Sequence, residues 1–385
     1  MPFQGKTCTR GVWDESVPKI TFDENGVSNY AHLFDKLVEV YPRGEKGQAD
    51  WDAMVQKIKA NGKGKSYDCI IGVSGGTDSS YLLHIAKDLG LRPLAVNLDN
   101  GWNSDIAVKN IKKMTSALGI DLDTYVVDYE EIKDLLKSYM YAGMPWIDMP
   151  TDLAIKAVLY KIAAREGVKY ILRGNDFRSE GSQPTEWTYG DGKQLNYLHR
   201  KFGKVSMKTF PNYTITSLFY YGAIRKIKSI YPFYFLDYNK NKAQDFLISN
   251  YDWEYYGGHH FENIFTRFVM SYWLFEKFGI DKRKITLSAQ VLSGEINRES
   301  AIKTITELPY KKEELDEVLN YITKKLDLTR DDFEKIFSAP NHGYKDYPSY
   351  HYIFNTMSRI ANPVLSLIFN NKPQSLFKAE MIDNK

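Results

Sequence analysis

Apolar residues along this chain switch between two spacings. From position 66 to about 175, blocks of consecutive apolar residues at 69–73, 93–101, 123–129 and 169–176 alternate with stretches at 79–89, 104–118 and 151–166, where apolar residues recur every three or four positions. Continuous apolar blocks with β-branched residues predict strands covered on both faces, and the longer period predicts the helices that cover them. Strand alternating with helix predicts an α/β fold, a doubly wound parallel sheet whose ligands lie beyond the carboxyl ends of the strands. Residues 1 to about 45 are punctuated by Gly and Pro and show little helical pattern, whereas 46–61 reads as an amphipathic helix with Trp51, Met54, Val55 and Ile58 on one stripe. Residues 176–228 are less regular. The segment 229–238 reads as a last strand and 240–250 as a helix. From 251 onward the pattern is mainly helical, broken at Gly257-Gly258, Gly279 and Pro340 to Pro348. Three parts follow: an N-terminal segment 1–65, a sheet domain 66–250 and a helical C-terminal region 251–385. The apolar stretch "PVLSLIFN" near the C-terminus is expected to bury itself in its own chain rather than on a partner.

The junction between the first strand and its helix, "IIGVSGGTDSSYLLHIA" at 70–86, is chemically loaded. Apolar residues stop at Val73, and Ser74, Gly75, Gly76, Thr77, Asp78 and Ser79 follow before Tyr81, Leu82 and Ile85 resume at helical spacing. Glycines without a Cβ let backbone amides approach a ligand, and the helix N-terminus adds N–H groups and the positive end of its dipole. Such a turn binds anions. Neither G-x-x-x-x-G-K-[ST] nor G-x-G-x-x-G is present, since the Gly-Lys-Ser at Gly64 to Ser66 lacks the earlier glycine and precedes the strand.

Composition narrows the setting without deciding it. The chain has 385 residues, 43% hydrophobic and 26% charged, and a net charge of +3, too small to argue for nucleic acid. Two cysteines, Cys8 and Cys69, exclude a disulfide framework and fit a reducing cytoplasm, and no apolar run reaches membrane-spanning length. Aromatic residues reach 14%, mostly expected in packing.

Other candidates stand at strand ends and in two polar stretches. Asn97 and Asp99 close the second strand, where a ribose or Mg²⁺ would lie; the bland alternative is a turn in "LDNG". Gly174 and Asn175 close the fourth strand. Thr151 opens a helix and is expected to cap it. "WEYYGGHHFENIFTRF" at 253–268 offers His260 and Glu262 as polar site groups, and "FGIDKRKITLS" at 278–288 gathers Lys282, Arg283 and Lys284, which either face solvent or bind phosphate.

The hexapeptide Ser74 to Ser79 resembles the pyrophosphate loop of the N-type ATP pyrophosphatases, also called the PP-loop superfamily, of adenine nucleotide alpha hydrolase-like fold. Taken with "YYGGHHFENIFTRF" and "FGIDKRKITLSAQVLSGEINRESA", it resembles the bacterial N-acetyl sugar amidotransferases of lipopolysaccharide and nonulosonate assembly, from about residue 7 to about 310. The resemblance implies ATP and Mg²⁺ as cofactors, with Val73 to Ser79 holding the nucleotide and Asp78 touching the metal. It implies an N-acetylated acceptor sugar, nucleotide-linked or acidic, and ammonia from a glutaminase joined to a barrel subunit similar to those of imidazole glycerol phosphate synthase. It gives catalytic roles to Ser74, Asp78, His260 and Lys282. Relatives commonly open with two C-x-x-C pairs, but the corresponding positions here are Cys8, Gly11, Ser28 and Ala31, so no structural zinc site is expected. Packing by Trp13, Ile20, Phe22 and Tyr30 is expected in its place. The rival reading, a thiolase of the same superfamily acting on tRNA or a small molecule, needs an exposed, activated cysteine.

Overall fold

The structure, a computed structural model, describes residues 3–258, 261–356 and 382. Its centre is a five-stranded sheet, β1 (Cys69–Gly72), β2 (Pro93–Asp99), β3 (Leu122–Val126), β4 (Tyr170–Leu172) and β5 (Lys228–Ile230), all parallel in the order β3-β2-β1-β4-β5. Strand residues alternate between two cores, as a period of two requires. Cys69, Ile71, Ala95 and Leu172 face helices α3 (Thr77–Asp88) and α4 (Asp105–Leu118). Ile70, Leu94, Val96 and Ile171 face α6 (Met149–Arg165). The sheet is doubly wound, and its direction of growth reverses between β1 and β4.

Several elements differ from the sequence pattern. The N-terminal segment contains α1 (Asn29–Val40), capped by the Ser28 hydroxyl, ahead of α2 (Glu45–Gly62). A further helix, α5 (Tyr129–Tyr141), starts where the Asp128 carboxylate accepts from the N–H groups of Glu130 and Glu131. The last strand stops at Ile230 because Pro232 has no N–H for a ladder, and Phe233 and Tyr234 turn into the core. Asp148, not Thr151, precedes α6, so Thr151 lies inside that helix and its hydroxyl accepts from the Asn100 amide at 3.0 Å.

At the N-terminus, Cys8 is buried and its sulfur accepts from the Ser28 N–H at 3.3 Å. Trp13 lies against Gly11, where a Cβ would come within 2.7 Å of the indole. Trp13 and Tyr30 belong to the core, with Ile20 and Phe22 packed against it. Packing also runs across position 250. Beyond α7 (Lys240–Tyr251), the Trp253 side chain is buried in the same core as α3, α9 (Arg283–Leu292) joins that core through Ile285 and Ala289, and α8 (Ile264–Phe268) packs with Trp102 and Ile132. The "PVLSLIFN" stretch lies outside the described residues. Among the described residues, no helix is long and apolar enough to cross a membrane.

Candidate active site

The loop after β1 is held from behind. Gly75 adopts φ +79°, with the Ala107 carbonyl only 2.2 Å from where a Cβ would stand, so any side chain there would collide with backbone. Its carbonyl accepts from the Trp253 indole at 3.2 Å and from the Asn110 amide at 3.3 Å. Those bonds turn the other face of the loop toward a cleft of about 640 Å³ at the carboxyl ends of β1, β2 and β4.

The backbone N–H groups of the loop meet neutral hydroxyls at long range. Ser74 N–H reaches Ser79 Oγ at 3.3 Å, Gly76 N–H reaches Ser74 Oγ at 3.3 Å, and Thr77 N–H reaches Tyr256 OH at 3.2 Å. Phosphate oxygens accept more strongly than hydroxyls, so these contacts are replaceable by a pyrophosphate. The donor set therefore fits ATP phosphates. Gly174, at the end of β4, lies against the first turn of α3, where a Cβ would sit 3.0 Å from the Asp78 carbonyl carbon. This contact marks the crevice between β1 and β4, where the winding reverses.

Asp78 is more deeply tied than a surface turn. Its carboxylate accepts from the Tyr238 hydroxyl and from Lys240 Nζ at 2.7 Å, and the Asp78 and Lys240 side chains are each 17% exposed. The Asp78 charge helps hold Lys240 above its ordinary range against the opposing effect of burial. Among the described residues, no three His, Cys, Asp or Glu side chains gather to hold a metal. Asp78 is the loop carboxylate that a Mg²⁺ ion would reach, and Lys240 already stands on it.

The predicted residues divide clearly. Val73, Ser74, Gly76, Asp78, Ser79, Asn97, Gly174, Asn175 and Lys282 line the cleft. Gly75 shapes the loop from behind, and Thr77 is buried and does not line the cleft. Asp99 does not reach the cleft: its carboxylate accepts from the Gly101 N–H at 2.9 Å, the turn alternative. Arg283 lies on Asp281 at 2.7 Å and on the carbonyls of Thr304 and Glu307. Lys284 is buried against Asp14 at 2.6 Å. Both cations are used in tying segments together, because α9 turns them away from the cleft while Lys282 faces it. His260 lies outside the described residues.

Lys282 and its neighbours form the wall opposite the loop. Its ammonium stands 3.9 Å from the centre of the Trp146 ring, and burial pulls its pKa down to about 8. Asp148, also in the cleft wall, is 2% exposed and accepts from the Thr266 hydroxyl at 2.5 Å. Burial, assisted by the Asp152 charge, pushes Asp148 up to about 7. The cleft thus holds an acid and an amine that both change charge near neutrality. Sequence reading missed Asp148, Trp146, Tyr238, Lys240 and Tyr256. Only their burial beside the loop and the cleft distinguishes them from other polar and aromatic residues of the chain. Cys69, which a thiolase would need exposed, is fully buried in β1, and burial pushes its thiol far up.

Glu262, Asn263, Thr266 and Lys282 close the cleft from the C-terminal side. Ser74 Oγ donates to the Glu262 carboxylate at 3.3 Å, and the Ser104 N–H donates to the Glu262 carbonyl at 2.8 Å. Residues 262–361 match the family model "LPS biosynthesis protein WbpG-like, C-terminal domain". The WbpG-like region is therefore one wall of the cleft rather than a separate appendage. An uncharacterized protein of Methanocaldococcus jannaschii is 28% identical over 36% of this chain and 49% of its own length. The tRNA(Ile)-lysidine synthase of Chlamydia pneumoniae is 31% identical over 17% of this chain and 21% of its own. The chain spans about half the length, or less, of the curated relatives it matches. Among solved structures, the NMN synthetase of Francisella tularensis covers 57% of this chain and 86% of its own at 16% identity and a TM-score of 0.27. That superposition is too loose to bear on chemistry.

Proposed function

We propose that this chain is an ATP-dependent, AMP- and pyrophosphate-forming ligase that converts the acetamido group of an N-acetylated sugar to an acetamidino group, for bacterial surface polysaccharide synthesis. The observation that carries the reading is a pyrophosphate-type loop, Ser74 to Ser79, that shares its cleft with a WbpG-like wall. An amide resists ammonia because resonance weakens its carbon as an electrophile and oxide is a poor leaving group. Attack of the amide oxygen on the α-phosphorus of ATP expels pyrophosphate and, with loss of the amide N–H proton, gives an O-adenylyl imidate. Ammonia then adds to the imidate carbon, AMP departs with the C–O bond, and loss of a proton leaves the amidine.

The amides of Ser74 and Gly76 and the hydroxyls of Ser74 and Ser79 would meet the departing pyrophosphate, where negative charge develops. Lys240, fixed by Asp78, would add a positive charge beside it. When bound, Mg²⁺ would spread the phosphate charge. Asp148 and Lys282 line the same cleft and would take up the proton from ammonium, since both titrate in the neutral range. Ammonia would come from a partner glutaminase with its barrel subunit, because neither cysteine is placed as a glutaminase nucleophile: Cys8 and Cys69 are both buried. The test is ATP–pyrophosphate exchange with the full chain and a panel of N-acetylated sugars, followed by ¹⁵N-ammonium. Exchange that depends on one sugar, and a product carrying ¹⁵N with AMP released in equal amount, is expected. Exchange that ignores every N-acetylated sugar would refute the proposal.

A further inference from the structure

The cleft contains two cations that the loop chemistry does not use. Lys156 lies on α6, one turn before Leu159, whose side chain packs on Gly72 at the end of β1. Since α6 runs antiparallel to the strands, that turn places Lys156 at their carboxyl ends. Arg173 directly follows β4 and precedes Gly174, and both cations line the cleft. Neither forms an ion pair with a carboxylate among the described residues, and Arg173 Nε is buried with no hydrogen-bond partner among them. The Lys156 ammonium instead stands 4.3 Å from the centre of the Tyr213 ring.

Two unpaired cations lining one partly buried cleft are costly. Each loses water and repels the other, and neither is ion-paired among the described residues with the carboxylates of the cleft. Burial, with the Arg173 charge adding to it, accordingly pulls Lys156 down to about 8. The other charged groups of the cleft differ in this respect: Lys240 has Asp78, and Lys282 has Asp152 and Asp148 nearby. An arginine and a lysine that line one cleft, with an arginine donor left without an acceptor, make a receptor for an anion supplied from outside.

We propose that Lys156 and Arg173 form a second anion site in the cleft, which takes a carboxylate or diphosphate of the acceptor rather than the phosphates of ATP. This rests on the functional reading above and narrows it: the acceptor carries a negative charge away from its acetamido group. Arg173 would supply planar paired donors and Lys156 a point charge. The sugar is then held at one end by this pair while its amide faces the loop.

The experiment is titration calorimetry on the full chain, first with the non-hydrolysable analogue AMPCPP, then with UDP or N-acetylneuraminate added to the AMPCPP complex. UDP represents the diphosphate source and N-acetylneuraminate the carboxylate source. One of the two anions should bind the wild type. Lys156→Gln and Arg173→Gln should each weaken it at least tenfold, Arg173→Lys should weaken it less than Arg173→Gln because it keeps the charge and loses the paired donors, and AMPCPP affinity should stay within twofold throughout. If neither anion binds the wild type at millimolar concentration, or if the glutamine variants bind it unchanged, the proposal falls. A parallel loss of AMPCPP affinity in the glutamine variants would also overturn it, by assigning the pair to the nucleotide. Binding of AMPCPP to the wild type tests the loop separately, so the two readings can fail independently.

Discussion

Replacing Asp148 by Asn should make the protein more stable at pH 8 and nearly unchanged at acid pH. The carboxyl is 2% exposed, and burial followed by the Asp152 charge raises it from 3.8 to about 7, against smaller opposing effects from Thr151, Thr266 and Lys282. An acid with a native value above its unfolded value binds its proton more tightly when folded. Stability is therefore lost as pH rises from about 4 to about 7, and stays at the lower level above that. Each pH step in this window costs about 1.4 kcal/mol. Between pH 5 and pH 8 the wild type should thus lose about 3 kcal/mol from this group alone, while the uncharged amide loses none. Asparagine keeps the shape and can still accept from Thr266, so no cavity or lost hydrogen bond complicates the comparison. Urea unfolding of both proteins at pH 5 and pH 8 measures the effect as a gap that opens with pH. A gap that is the same at both pH values would show that Asp148 is already ionised in the native protein at pH 5, and the account of its burial would be wrong.

Asp78→Asn should lower pyrophosphate release by a hundredfold or more and also destabilise the fold by about 3 kcal/mol, because Lys240 loses its counter-charge; wild-type release in a pyrophosphate assay would remove Asp78 from the chemistry. Lys284→Met should cost about 3–5 kcal/mol by leaving Asp14 buried and unpaired, with AMPCPP affinity unchanged. Weakened AMPCPP binding in a variant of wild-type stability would return Lys284 to the phosphates. The isolated chain should form amidine with ATP and high ammonium but not with glutamine, gaining glutamine use only when glutaminase and barrel subunits are added. Glutamine-driven turnover by the pure chain would contradict this.

The sequence by itself determined the elements whose signal is local. The apolar block at Cys69 to Val73 followed by Ser74 to Ser79 marks a strand, a phosphate-type turn and a helix start, and the structure has β1, the loop and α3 there. The alternation through β4 likewise implied a parallel sheet, because βαβ order leaves few other ways to bury both faces of each strand. Helices α1 and α5 escaped the pattern because their boundaries depend on the Ser28 and Asp128 caps as much as on apolar spacing.

What only the tertiary structure decided is which polar residues share a space. Lys282, Arg283 and Lys284 are equivalent in sequence, yet the orientation of α9 aims the first into the cleft and commits the others to Asp281 and Asp14. Lys240 and Asp78 are far apart in the chain and 2.7 Å apart in space, and Asp148 and Lys156 acquire their shifted charge states only from burial beside Asp152 and Arg173. Spacing along a chain reports the face of an element, which is a local property. Desolvation and pairing of charges depend on contacts between distant segments, and those exist only once the sheet, α6 and the WbpG-like wall have closed around the cleft.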